Sequence, residues 1–302
     1  MLIHFVRNGP SYLPELEAYA AFIAAQGHQA NIHDTSATVP DDAQVVWWIC
    51  GRVSHLEQLR LKRAFHIHEY SSSSVPPHAW LKDQVKRITQ AQPDYRVFQN
   101  PWVRERMGFS SRVPSCLRDM GIAPVFFEAP THVISKEFDL VYLGEMTRLQ
   151  PFLPVLQSIH QAGRSLLLVG NVPEHIHAQL PPNATVSGRV THADVPTQLR
   201  RARFGLNLVS NIAPYNQQTS TKLLEYCAVG LPVVSNDYPW VRYFASRHQG
   251  NFHLLSDNPN TWAPSFGEAL EAYPYQVPDL QDMQWPKLLA KMPLWKILFG
   301  NG

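Results

Sequence analysis

The stretch Thr219-Ser-Thr-Lys-Leu-Leu-Glu-Tyr-Cys-Ala-Val-Gly-Leu-Pro-Val-Val-Ser235 constrains this chain more than any other. Thr219, Ser220 and Thr221 each carry an oxygen able to cap a helix start, and Leu223, Leu224, Cys227 and Ala228 follow at helical spacing. Gly230 suits the left-handed residue that closes a helix, and Leu231-Pro-Val-Val opens a strand rich in β-branched residues. The first turn of such a helix leaves backbone N–H groups without intrahelical partners, so the pattern predicts an anion site there. Lys222 adds a full positive charge beside it.

The segment from Lys222 to Val234 resembles the donor-site motif of GT-B glycosyltransferases, above all the retaining family 4. In that family the motif runs Glu, seven residues, Glu, then Ala, Gly and Pro-Val-Val. The resemblance implies that Glu225 holds the ribose hydroxyls of a nucleotide sugar. It also implies that the position eight residues earlier sits by the donor sugar. This chain has Gln217 there, an amide that can hydrogen-bond the sugar but carries no charge to stabilise an oxocarbenium ion.

Three further segments follow the family's order. Phe138-Asp-Leu-Val-Tyr-Leu-Gly144 with Glu-Met-Thr-Arg148 resembles the first strand and diphosphate loop, which brings Gly144 and Arg148 to the donor. Ser165-Leu-Leu-Leu-Val-Gly170 resembles the next strand. Val186-Ser-Gly-Arg-Val190 resembles the strand whose loop holds the base through backbone groups, here at Arg189 and Val190. The implied fold is α/β GT-B, two Rossmann-like domains with parallel sheets facing a cleft. The implied domains are 1–136 for the acceptor, 137–282 for the donor, and a C-terminal helix over 283–302 that crosses back, with Trp285 where the family often has one.

The first half reads independently as strand, helix, strand. Leu2 to Val6 is a strand; Leu13 to Gln26 carries apolar residues at helical spacing and stops at Gly27; Gln44 to Cys50 is a buried strand. Such alternation predicts a parallel sheet, with ligands at the carboxyl ends of its strands, so Asn8 and Gly9 are expected at the acceptor cleft. His66 and His68 alternate along a further strand and share a face, with Glu69 opposite. A histidine at a strand end suits a general base or an acceptor contact, so His68 is the catalytic candidate beside Gln217, and Glu69 joins the acceptor site. Retaining transfer in this fold is thought to pass the acceptor proton to the donor's own phosphate, which makes a protein base optional. The text from about Gly121 to Lys136 contains prolines and no periodicity, as an interdomain linker would.

Charge narrows the partners. Between Arg60 and Arg118 eleven Lys or Arg face four Asp or Glu, although the whole chain of 302 residues is only +2, so an anionic partner is expected on this half. Trp80, Trp102 and Phe109 interleave with Lys82, Lys86, Arg87, Arg104 and Arg106, yet no nucleic-acid module surrounds them. A saccharide or lipid-linked acceptor at an anionic membrane surface fits better. Cys50, Cys116 and Cys227 show no paired spacing and read as reduced thiols. The fourteen histidines form no ligand cluster, and no Asp-x-Asp stands ready for a divalent ion, so neither metal nor cofactor is expected. The opening residues read as a strand rather than a signal peptide, and no apolar run is long enough to span a bilayer, which points to a cytoplasmic protein, peripheral at most to the inner face of the membrane.

The reaction expected is metal-independent, retaining transfer from a nucleoside-diphosphate sugar, in surface polysaccharide or glycolipid synthesis. A non-catalytic GT-B binding subunit is the alternative that Gln217 keeps open. A nucleotide-sugar epimerase shares the fold but needs acid–base carboxylates that are not placed here. A dehydrogenase is disfavoured because Gly-x-Gly-x-x-Gly is missing after the first strand.

Overall fold

The computed structural model describes residues 1–7, 9, 13–49 and 52–300. The chain divides into two units, Met1–Gly121 with Asp282–Gly302, and Ile122–Gln281. Asn8 and Cys50 lie outside the described residues.

The first unit holds β1 (Leu2–Val6), β2 (Gln29–His33), β3 (Val45–Ile49), β4 (Phe65–Tyr70), β5 (Tyr95–Phe98) and β6 (Ser115–Leu117). They pair in the order β2-β1-β3-β4-β5-β6, all parallel. The connecting helices are α1 (Pro14–Ala25), α2 (His55–Arg60), α3 (Ala79–Thr89) and α4 (Pro101–Met107). Pro14 stands in the first turn of α1, where its missing N–H costs nothing, and Gly27 at φ +77° ends the helix. Two C-terminal helices, Trp285–Ala290 and Leu294–Phe299, belong to this unit. Trp285 lies under the Arg118 guanidinium at 5.5 Å and fills the space that a side chain on Gly121 would take.

β4 is a central strand, so both of its faces are covered, and this corrects the expectation for His68 and Glu69. Glu69 is 1% exposed and paired with Arg118, which is equally buried. Its other carboxylate oxygen accepts from Trp47 Nε1 at 2.8 Å and from Tyr19 OH at 3.0 Å. The residue therefore ties β3, β4, α1 and the end of β6 together instead of facing an acceptor. His68, on the other face, is also 1% exposed. Its Nδ1 accepts from the Gln90 amide at 3.1 Å, so the ring proton sits on Nε2, which is buried with no partner. Burial, helped by His66 and Arg96, holds its pKa down at about 3. His68 is a neutral core histidine.

The second unit holds β7 (Phe138–Leu143), β8 (Leu166–Val169), β9 (Ala184–Gly188), β10 (Ala202–Asn207), β11 (Val233–Asn236) and β12 (His253–Leu255), in the order β12-β11-β10-β7-β8-β9 and again parallel. Its main helices are α5 (Leu153–Gln161), α6 (Glu174–His177), α7 (Val195–Arg200), α8 (Thr221–Ala228) and α9 (Pro239–His248). Leu140, Tyr142, Leu166, Leu168, Phe204 and Leu206 build the core on one sheet face. The proline-containing stretch that reads as a linker contributes to this unit: Phe126 in the 3-10 turn Pro124–Phe127 is fully buried, and its carbonyl accepts from Arg200 at 3.2 Å. Aperiodic sequence hid a single anchoring ring. Strand order reverses between β7 and β10, and in an open α/β sheet the crevice at the carboxyl ends of two such strands is where ligands bind.

Candidate functional site

α8 begins at this reversal. Ser220 is its N-cap, but its hydroxyl does not cap the helix; Oγ donates to Asn207 Oδ1 at 2.7 Å. Asn207, fully buried at the end of β10, donates in turn to Ser235 Oγ at 2.8 Å and Tyr238 OH at 3.0 Å. This network moors the start of α8 to β10 and β11. Further along the helix, the Tyr226 hydroxyl accepts from the Leu143 N–H at 2.9 Å and donates to the Leu206 carbonyl at 3.2 Å, which bridges β7 and β10. The ring fits because residue 205 is glycine; a Cβ there would lie 2.5 Å from the Tyr226 ring. Gly230, at φ +78°, takes the left-handed position after the helix, as its place in the sequence requires.

A cavity of about 470 Å³ opens at the helix start. It is lined by Thr147, Arg148, Gln150 and Pro151 after β7, by Leu208, Val209 and Ser210 after β10, and by Tyr215 and Gln218 to Lys222. The Lys222 ammonium donates to Tyr142 OH at 2.9 Å and to the Leu208 carbonyl at 3.2 Å, and lies 4.1 Å from the Tyr142 ring centroid. An ammonium has three N–H donors, so one remains for the cavity. Burial and the nearby Arg148 push the Lys222 pKa down to about 7, with Glu225 acting the other way. Arg148, exposed in the 3-10 helix Met146–Phe152 that follows β7, brings a second cation to the same wall. An exposed guanidinium, a desolvated ammonium and an open helix N-terminus in one cavity suit a polyanion.

Glu225 stands one turn further along α8, its side chain 17% exposed, with Oε1 3.5 Å from His192 Nε2. Burial raises its pKa, against the pull of His192 and Lys222. His192 comes from the 3-10 turn His192–Asp194 that follows β9, and its ring packs 5.3 Å from Phe126. No spacing in the sequence signals His192; the fold brings it to Glu225.

Thr219, Ser220, Thr221, Lys222 and Arg148 thus share the cavity wall. Gly144, at φ +132°, lies within reach of the Lys222 stem, a Cβ there falling 3.8 Å from Lys222 Cε. Gln217 ends the 3-10 turn Tyr215–Gln217, between cavity residues but not itself lining the cavity. Arg189 and Val190 follow β9 on the loop that leads to His192. Gly9 follows β1 in the first unit, where its N–H donates to Asp34 O at 3.4 Å. Among the described residues no three His, Cys, Asp or Glu side chains converge as a metal site, and Cys116 and Cys227 are free and buried.

Residues 151–253 match the model of a family described as Glycosyl transferase-like. A glycosyltransferase from Rickettsia africae is similar with a TM-score of 0.69, at 10% identity, over 100% of this chain and 99% of that one. Sucrose-phosphate synthase from Thermosynechococcus elongatus gives 0.65 at 13% identity over 99% of each chain. The chain has the GT-B glycosyltransferase fold. The Anabaena protein HepE, solved with UDP-glucose, shares this GT-B fold with a TM-score of 0.63 at 13% identity, over 95% of this chain and 93% of that one. Set against the curated proteins, the sequence matches none. The matched segment runs from Pro151 to His253, so α8, Lys222 and Glu225 fall inside it. No helix among the described residues is long and apolar enough to cross a membrane.

Proposed function

We propose that this GT-B protein transfers a sugar from a nucleoside-diphosphate sugar to a saccharide or lipid-linked acceptor. The observation that carries the reading is the cavity at the β7/β10 reversal, where Lys222, Arg148 and the uncapped start of α8 meet. The diphosphate lies against these donors, and the Glu225 carboxyl, with His192 Nε2 3.5 Å from its Oε1, accepts from the ribose hydroxyls. Gly144 borders the sugar beside Lys222, Gln217 stands behind the cavity wall on the adjoining turn as the family's sugar-side position, and the loop through Arg189 and Val190 holds the base. HepE's UDP-glucose supports a nucleotide sugar as the donor class.

As the bond from the anomeric carbon to the phosphate oxygen breaks, negative charge builds on the leaving diphosphate. Lys222 and Arg148 are fixed cations positioned to stabilise it, which is the basis for proposing metal-independent transfer. The acceptor oxygen bonds to the anomeric carbon, and its proton passes to the departing phosphate, giving retention. His68 and Glu69 take no part in this step, since both are enclosed in the first unit. Synthesis of a surface polysaccharide or glycolipid is the setting we propose.

Glu225→Ala tests the donor assignment. The variant is expected to fold as the parent does and to bind nucleoside diphosphates about 10- to 100-fold more weakly, the loss of charge-assisted hydrogen bonds. Unchanged affinity by calorimetry removes Glu225 from the site.

A further inference from the structure

Helices laid on a parallel sheet normally turn their apolar side inward. α3 does the reverse. The residue it buries is Asp83, whose carboxylate accepts from the Ser74 N–H at 2.9 Å and pairs with Arg106 at 3.4 Å. Its large apolar side chains face out: Trp80 is 61% exposed, Leu81 55%, Val85 45% and Ile88 79%. Leu81, Val85 and Ile88 are spaced to form one stripe along the helix. α2 buries none of its residues and exposes Leu56 and Leu59 as well. The steps β3 to β4 and β4 to β5 run in one direction across the sheet, so right-handed connections place α2 and α3 on the same face.

Charge decides the occupant. Lys82 is exposed on α3 with Nζ donating to the Val75 carbonyl at 3.1 Å, Lys86 is half-exposed, and Arg87 donates from Nε to the Met107 carbonyl at 3.2 Å, while the helix's acid is turned inward. The carboxylate of α2, Glu57, is held in a capping box with Ser54 and accepts from Ser36 at 2.8 Å. The surface is thus apolar, fringed by cations, with its carboxylates engaged. We infer that the outer face of α2 and α3 docks the protein on an anionic lipid bilayer, with Leu81, Val85 and Ile88 entering the headgroup region and Lys82 and Lys86 meeting lipid phosphates. Trp80 suits the boundary, having an apolar body and one polar N–H. A surface helix with an apolar stripe between basic residues lies in the plane of the interface and needs no spanning segment. The inference goes beyond the transfer reading and stands on the first unit alone.

Sedimentation of the full chain with vesicles tests it. Partition is expected into phosphatidylcholine vesicles containing phosphatidylglycerol, weakly into phosphatidylcholine alone, and less at high salt. Leu81→Gln with Ile88→Gln should reduce partition at least about tenfold, since two exposed apolar anchors are lost. Lys82→Gln with Lys86→Gln should reduce it about tenfold and remove much of the salt dependence. Leu81, Lys82 and Ile88 are exposed and Lys86 is half-exposed, so unchanged circular dichroism is expected. No partition into the anionic vesicles, or partition indifferent to both double variants, overturns the inference. So does a concentration-dependent dimer in sedimentation velocity that Leu81→Gln abolishes, because the face then belongs to a second copy. Failure to bind nucleotide sugar while vesicle binding persists would count against the transfer reading only.

Discussion

Lys222 makes donor affinity depend on pH in a way that can be worked out in advance. In the free protein its pKa is about 7, because burial and Arg148 disfavour the charge. A bound diphosphate favours the ammonium and raises that pKa, so binding takes up a proton whenever the pH lies above 7. Below that, Lys222 is charged with or without ligand and affinity is flat. Above it, affinity falls by one log unit per pH unit, which amounts to about 50-fold between pH 7 and about pH 9. A nucleotide sugar has no diphosphate proton to lose in this window, so the slope belongs to the protein. Calorimetry in buffers of differing ionisation enthalpy reads both the slope and the proton taken up. Lys222→Met should bind about 10- to 100-fold more weakly at neutral pH and show no slope. A flat wild-type profile, or an equal slope in Lys222→Met, refutes the reasoning. Stability carries the matching sign: the folded pKa lies below the unfolded value near 10.5, so the contribution of Lys222 to stability rises as pH climbs from 7 toward 10.5.

Two further outcomes follow from the packing. Glu69→Gln removes the nearer of the two buried carboxylates paired with Arg118, leaving Glu15 at 3.9 Å, and should cost about 3 kcal/mol in chemical denaturation; a fully stable variant that loses only acceptor turnover would restore Glu69 to an acceptor site. Gly205→Ala drives a methyl against the Tyr226 ring and should cost about 1–3 kcal/mol, with weaker nucleotide binding as the start of α8 shifts; wild-type stability and affinity would show that the ring yields freely.

The donor half was legible because its signals are local. Helix spacing from Leu223, the glycine after α8 and the strand beyond it are properties of neighbouring residues, and the two parallel sheets of the GT-B fold follow from such units repeated. What escaped depends on partners far along the chain. Three hydroxyl residues promised a cap, yet Ser220 bonds Asn207, and nothing in residues 219–221 foretells that. His192 reaches Glu225 only through the turn after β9. A period of two told which side of β4 His68 and Glu69 occupy but not that both sides are enclosed, since that is fixed by β3, β5 and the helices around them. The excess of apolar residues on the outer face of α3 was likewise hidden, because the same spacing describes a helix buried against its sheet.

The central claim is that the cavity at the start of α8 binds a nucleotide sugar for transfer. Titrating the purified chain with uridine, guanosine and cytidine diphosphate sugars by calorimetry, with nucleotide release followed in parallel, tests it most directly. One donor class is expected to bind selectively, Glu225→Ala to weaken it, and nucleotide to be released when acceptor extract is added. Binding of none of them, or tight binding with no release in the presence of acceptor, would contradict it.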